Sequence, residues 1–239
     1  MKHLFWSRSH NDRLRQSLSV RKRLVRWCLI FILGYYLVCT ASLLSLKWFP
    51  PLTTGVQIQR WIEASVAQEP YTKHYTFAPL RHISPHLVHA AVASEDARFF
   101  EHNGIDWVEL RKVVDAARRR GSVARGASTI TQQLVKNLFL TTYRSPVRKG
   151  IEFTLAPLAE LLLSKDRILE LYLNVVEWGP GVYGAEAAAR FYYGASAQTL
   201  SRAQAARLVA CLPAPLERTP AEMSDLSEDI LERMRAMGW

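Results

Sequence analysis

Gly126 to Asn137 reads GASTITQQLVKN. Ser128 has a side chain of the kind that caps a helix start. A helix running from there through about Asn137 puts Ile130, Leu134 and Leu138 on one buried stripe. The same spacing leaves Thr129, Gln133 and Lys136 on another face, at i, i+4 and i+7. The free N–H groups at such a helix start favour an anion, and the Lys136 ammonium is a compact charge suited to phosphate. By itself the stretch is equally an ordinary amphipathic helix with a polar outer face.

Two neighbouring stretches sharpen that reading. Upstream, SEDARFFEHNG spans Ser94 to Gly104. The Ala-rich pattern predicts a helix over His86 to Phe100, with Leu87, Ala91 and Ser94 at helical spacing. Carried on, that helix sets Glu95, Phe99 and His102 roughly on one face. A carboxylate at a helix end beside aromatics has a route to a raised pKa through desolvation, and chemistry at sugars typically uses such a group. Alone, the stretch also reads as a solvated acidic helix end with His102 as its cap. Downstream, Arg148 to Glu152 reads RKGIE. A surface ion pair is the default for its spacing and contributes little. The functional alternative makes Glu152 a second carboxylate, with Lys149 and Arg144 as further phosphate contacts.

The remaining chain reads as helices joined by loops. Gln57 to Ala67 is a short helix, and residues 68–85, with Pro70, Pro79 and Pro85, are an extended lead-in. Asp106 caps a helix whose stripe is Leu110, Val113, Val114 and Ala117, ending at Gly121. Residues 121–127 form a mobile loop. Ser145-Pro146 opens a long helix to about Leu163, which Pro157 should kink. Ser164 caps the next helix. Gly179, Gly181 and Gly184 mark a loop. Ala185 to Tyr193, Ser201 to Leu212 with a Ser201…Gln204 capping box, and Asp225 to Met237 are helical. Strand patterns are weak everywhere, so the folded part is expected to be mainly α.

Charge is uneven along the chain. The formal net charge is +10 over 239 residues. The first 26 residues hold eight lysines and arginines against a single acid, Asp12. A nucleic-acid binder carries its excess on the folded part, so this distribution excludes that class. Trp27 to Leu46, WCLIFILGYYLVCTASLLSL, has no charge and the length to cross a hydrocarbon core of ~30 Å as a helix. The cationic flank predicts a cytoplasmic tail and an exported remainder. A buried core helix and a cleaved signal peptide are the alternatives. Signal peptides have shorter apolar regions, ~7–15 residues, ending in an A-x-A-like site. Cys39 follows Val38 and does not read as a lipidation site. Cys211 stands alone in the exported part, so no disulfide is expected there. The boundaries read as residues 1–26 basic tail, 27–46 transmembrane helix, 47–79 juxtamembrane linker and 80–239 catalytic domain.

Taken together, the motifs resemble the peptidoglycan glycosyltransferase family. Its patterns are E-D-x-x-F-x-x-H-x-G, G-x-S-T-I-T-Q-Q-x-x-K-N and R-K-x-x-E. This chain has Glu95-Asp96…Phe99…His102…Gly104, then Gly126…Ser128 to Gln133…Lys136-Asn137, then Arg148-Lys149…Glu152. A fourth stretch, SKDRILELYLN from Ser164 to Asn174, also fits, with Gly179, Gly184, Ala187 to Ala189 and YYG at Tyr192 to Gly194. Order and spacing match over about residues 80–215. Pro157 and the Pro180-containing glycine loop depart from the pattern, away from the catalytic positions. The chain ends at Trp239 without the triad of motifs, S-x-x-K through K-T-G, of a transpeptidase, so a monofunctional member is expected.

The resemblance implies an α-rich, two-lobed, lysozyme-like domain behind one N-terminal transmembrane helix. It implies lipid II and the growing glycan strand as substrates, joined by β-1,4 links with inversion and release of undecaprenyl pyrophosphate. Glu95 matches the general base and Glu152 the second carboxylate. Lys136, Lys149 and Arg144 match pyrophosphate-holding positions, with Ser128 and Gln133 lining the same groove. A divalent cation such as Mg²⁺ or Mn²⁺ often assists in the family, but the sequence shows no dedicated metal cage. The expected location is the inner membrane, with other cell-wall synthesis or division proteins as candidate partners. The basic and apolar mixture at residues 106–125, including Trp107, Leu110 and Val114, suits a helix lying in the bilayer interface or an ordinary surface helix. A lysozyme-like glycan-cleaving enzyme and an inactive cell-wall scaffold remain the alternatives.

Overall fold

The uncharged run belongs to a helix that begins inside the basic tail. The computed structural model describes residues 3–121 and 126–239, so the sequence-predicted mobile loop at 121–127 lies largely outside the described residues. Helix α1 spans His3–Ser45. Its Arg21–Ser45 part is long and apolar enough to cross a membrane. Most of its large apolar side chains from Leu24 to Val38 are exposed, which is unlike a core helix. The chain divides into two compact units, Met1–Ser45 and Leu46–Trp239.

The second unit is mainly helical, as the periodicity predicts. Thr54 caps α2, Gly55–Ala67, by accepting the Gln57 N–H. Ser84 caps α3, Pro85–Glu95, and Asp106 caps α4, Trp107–Arg120, which ends on Gly121. Then follow α5, Ile130–Phe139, α6, Pro146–Leu162, α7, Lys165–Val175, α8, Ala185–Tyr193, α9, Arg202–Cys211, and α10, Ser224–Ala236. The cap residues at Asp106, Ser145, Ser164 and Ser201 are the ones the sequence predicts. α7 forms the centre, with Ile168, Leu169, Leu171, Tyr172 and Leu173 buried. It packs on α5, which also meets α6 and α2, while α3 packs on α9 and α10.

Three local expectations change. First, α3 stops at Glu95 rather than Phe100, because Asp96 leaves helical geometry at φ −163° and ψ 73°. Glu95, Phe99 and His102 therefore do not share a helix face, and Phe99–Glu101 is a separate 3-10 turn. Second, Thr129 rather than Ser128 caps α5, in a capping box with Gln132. Third, a small sheet exists. β1 (His74–Tyr75) runs parallel to β3 (Val182–Tyr183), with His74 opposite Val182. β3 pairs antiparallel with β2, Glu177–Gly179. Strands of two or three residues are too short for a period-2 signal. They form because the glycine loop is buried and its backbone must find partners. The linker reading of 47–79 thus covers an ordered helix and an edge strand.

The fourth motif supplies the clamps. The Asn174 amide bridges the Ala78 backbone, accepting its N–H at 2.8 Å and donating to its carbonyl at 2.8 Å. Gly184 sits so close to Asn174 that a Cβ would lie 2.7 Å from the Asn174 carbonyl oxygen, at φ +85°. Lys165 donates to the His102 carbonyl at 2.6 Å and to Glu160 at 2.8 Å, while its ammonium lies 4.3 Å from the centre of the Phe99 ring. Thr131 donates to the same Glu160 carboxylate at 2.6 Å. Gly104, at φ +89°, lets the loop touch α6, where a Cβ would lie 2.8–2.9 Å from the backbone of Ala156 and Pro157. α6 runs through Pro157, which cannot donate to the Phe153 carbonyl one turn back.

Candidate active site

Glu95 is the last residue of α3. Its position follows from what holds the next residue. Asp96 Oδ2 accepts the Ile130 N–H at 3.0 Å, and His102 Nε2 lies 2.9 Å from Asp96 Oδ1. Asp96 thereby joins the end of α3 to the positive start of α5. Glu95 is left facing a cleft of about 400 Å³ lined also by Ser94, Arg98, Ser128, Thr129 and Arg233.

The Glu95 carboxylate has few partners. Gln133 donates its amide N–H to Glu95 Oε2 at 2.9 Å, and the Ser94 hydroxyl lies 3.4 Å from Oε1. Burial raises the Glu95 pKa above the ordinary carboxylate range, against the lowering effect of Gln133, Ser94 and the Lys136 charge. This is the route anticipated from the sequence, although the aromatics at 99 and 100 do not share its helix.

Lys136 lies one turn along α5 from Gln133. Among the described residues its ammonium makes no hydrogen bond or ion pair. Burial pushes its pKa down, while the charges of Glu152, Glu95 and Glu177 favour the ammonium. Lys136 is half-buried, and a partly desolvated cation without an internal partner leaves room for an anionic ligand. Lys149 is held differently. It donates to Ser128 Oγ at 2.9 Å and to Glu152 Oε2 at 3.0 Å. Releasing Ser128 from capping duty is what frees its hydroxyl for Lys149. Glu152, 3% exposed, also has Arg148 Nε at 3.3 Å. It is a buried counter-ion that fixes two cations of one helix turn.

Glu95, Ser128, Gln133, Lys136, Lys149 and Glu152 are therefore linked through three helices. Arg144 is not joined to them: it is exposed just before α6, and its side chain makes no hydrogen bond or ion pair among the described residues. Three participants were not singled out from the sequence. Asp96 clamps two helix ends. Tyr172 of α7 donates to Gln133 Oε1 at 3.2 Å. Arg233 reaches the cleft rim from α10. Each meets parts of the chain far away in sequence, which local spacing does not reveal.

The fold does gather carboxylates. Atoms of Asp96, His102 and Asp106 lie within 4.8 Å of one another. Most of their donor atoms are already committed, although His102 Nδ1 has no hydrogen-bond partner among the described residues. Asp96 holds Ile130 and His102. Asp106 Oδ1 accepts the Val108 and Glu109 N–H groups at 2.9 Å each, with Arg98 Nε 3.6 Å from its other oxygen. A divalent cation needs six or more free oxygen donors, or water in their place. The trio does not fit such a cage.

A transglycosylase family model matches residues 63–237, which cover α3 to α10 and every residue of this cleft. The chain belongs to that family. Similar relatives include a biosynthetic peptidoglycan transglycosylase of Chromohalobacter salexigens, 42% identical over 91% of this chain and 94% of the relative. One from Pseudomonas entomophila is 44% identical over 83% of this chain and 82% of its own. One from Herminiimonas arsenicoxydans is 41% identical over 91% and 97%. This transglycosylase is thus a glycosyltransferase; Gln133 of α5 bonds the desolvated Glu95 carboxylate, and Lys136 lies one helix turn further along α5.

Proposed function

We propose that this protein polymerises lipid II into β-1,4-linked glycan strands at the outer face of the inner membrane. The 4-hydroxyl oxygen of one lipid II attacks C1 of the strand held on its lipid pyrophosphate. The new C1–O bond forms as the C1–phosphate oxygen bond breaks. The pyrophosphate departs with the electron pair, the proton passes to Glu95, and the α-linked donor becomes a β link. Glu95 is the general base. Lys136 and Lys149 stabilise the departing pyrophosphate, with Ser128 and Gln133 shaping the groove. Glu152 orients Lys149 and Arg148, and Arg144 meets the pyrophosphate from the exposed side.

The observation that carries this reading is Lys136, a half-buried ammonium without an ion-pair partner among the described residues, whose charge favours ionisation of a carboxylate that burial holds to a raised pKa. A hydrolase needs an acid and a water but no anion pocket. The full chain in detergent, given labelled lipid II, is expected to yield long glycan polymer. Cleavage of preformed glycan, or neither product, would overturn the assignment.

The membrane seat follows from the surface beyond α1. α2 starts within ten residues of Ser45 and exposes Ile58, Trp61, Ile62 and Val66 on one side, with Trp48, Phe49 and Leu52 just before it. α4 exposes Trp107 and Val108, but Leu110, Val113 and Val114 are half-buried. The apolar face of α2 suits an interfacial helix, and the basic residues that precede the uncharged run favour a cytoplasmic N-terminus. For a chain beginning at Leu46, replacing Trp61 and Ile62 by Ser is expected to reduce binding to anionic liposomes about tenfold or more, since ~25 cal/mol is lost per Å² of apolar surface. Equal sedimentation with liposomes before and after substitution would place the seat elsewhere.

A further inference from the structure

The Gln133 side chain is held at both ends. Its N–H reaches Glu95 Oε2 at 2.9 Å, and its carbonyl oxygen accepts the Tyr172 hydroxyl at 3.2 Å. Tyr172 is fully buried in the centre of α7. Its hydroxyl has no other hydrogen-bond partner among the described residues. A buried tyrosine hydroxyl finds a partner or carries a desolvation cost. Here the partner is an amide whose other end touches the proposed base.

An amide can present either end to a neighbour. Only the N–H end stabilises a carboxylate, and the carbonyl end would repel it. Tyr172 donates to the carbonyl oxygen, so it favours the orientation in which the N–H points at Glu95. Hydrogen bonds in series also polarise one another, which strengthens the bond to the carboxylate. We infer that Tyr172 is a positioning residue for Glu95, acting through Gln133 to hold the carboxylate ionised and aimed into the cleft. This rests on the reading of Glu95 as the base.

The surroundings leave this chain of bonds with a clear role. The groups that face or border Glu95 are Ser94 and Asp96 at its own helix end, Gln133 and Lys136 of α5, Tyr172 of α7, Arg98 of the following loop, Asp106 and Glu109 at the start of α4, and Arg233 of α10. No residue of α9 lines the cleft. Asp96 opposes ionisation of Glu95, as burial does. Gln133 is the largest of the effects that favour it, ahead of Ser94 and Lys136. Loosening Gln133 therefore removes the main support of the ionised base.

The test is Tyr172→Phe in the full chain, measured as polymerisation rate against pH. The ring that fills the core is kept and only the hydroxyl is lost. The acid limb of kcat is expected to move to higher pH, with a loss of about tenfold on the acid side that closes at alkaline pH, and KM little changed. The position of an inflection does not depend on how much enzyme is folded, so partial unfolding cannot imitate the shift. Gln133→Met should move the limb the same way, and the double variant should move it no further, because both changes break one chain. An unshifted limb in Tyr172→Phe, or additive shifts in the double variant, would overturn the inference. The base assignment fails separately, by Glu95→Gln retaining the wild-type rate and limb.

Discussion

Replacing Glu95 by Gln is expected to abolish polymerisation and to make the protein more stable at neutral pH. The loss follows from removing the base. General base catalysis contributes ~10²–10⁴-fold, and Gln keeps the size and the bond from Gln133 while losing the ability to take a proton. The gain in stability follows from the sign of the pKa shift. Burial raises the pKa of folded Glu95, so the folded chain holds this proton to higher pH than the unfolded chain. That contribution favours the fold below the unfolded carboxylate value of ~4.3 and is lost as pH rises through the folded value. At neutral pH the ionised, desolvated carboxylate costs stability, and a neutral amide does not. Catalytic groups held against their environment commonly show such a trade, of ~0.5–2 kcal/mol. Thermal melts at pH 8 should show the variant melting higher, with the advantage shrinking towards pH 4.5. Retained polymerisation would remove Glu95 from the mechanism. An equal advantage at both pH values would remove the desolvation argument.

Lys136→Met is expected to lower kcat ~10²–10³-fold, the usual loss when one fixed stabiliser of developing charge is removed. The fold should tolerate it. Lys136 has no ion pair to break among the described residues, and burial lowers its pKa, so the charged form is a burden on the folded state at neutral pH. Met fills a similar volume without that burden. The acid limb of the rate should also rise, since the Lys136 charge helps keep Glu95 ionised. Wild-type kcat, with a raised KM alone, would mean that Lys136 binds donor without stabilising the leaving group. Lys149 is a different case, because Glu152 depends on it and on Arg148 for its counter-charge. Removing Lys149 leaves that carboxylate short of a partner.

How much of this was legible depends on how far each residue reaches. The caps at Asp106, Ser145, Ser164 and Ser201 were readable because a cap acts over two or three residues. The cap of α5 was displaced by one residue. Ser128 and Thr129 are both capping residues by type, and the pull of Lys149 on Ser128 comes from another helix. The end of α3 was placed five residues too late. Nothing local breaks the helical pattern at Asp96; the Ile130 N–H and His102 do so in three dimensions. The glycine loop gave no strand signal, yet its burial against β1 makes it two strands of a sheet, with β3 in the middle.

The sequence by itself determined that this chain is mainly helical, that an uncharged run long enough to span a bilayer follows a basic tail, and that Glu95, Lys136, Lys149 and Glu152 sit in motifs of one family. Those properties are set by periodicity, charge and order along the chain. Only the tertiary structure decided which cation is tied and which is free. Lys149 is clamped by Ser128 and Glu152, Lys136 is half-buried without a partner among the described residues, and Gln133 is held between Glu95 and Tyr172. Desolvation and orientation depend on what packs from other helices, and no spacing along one chain records that.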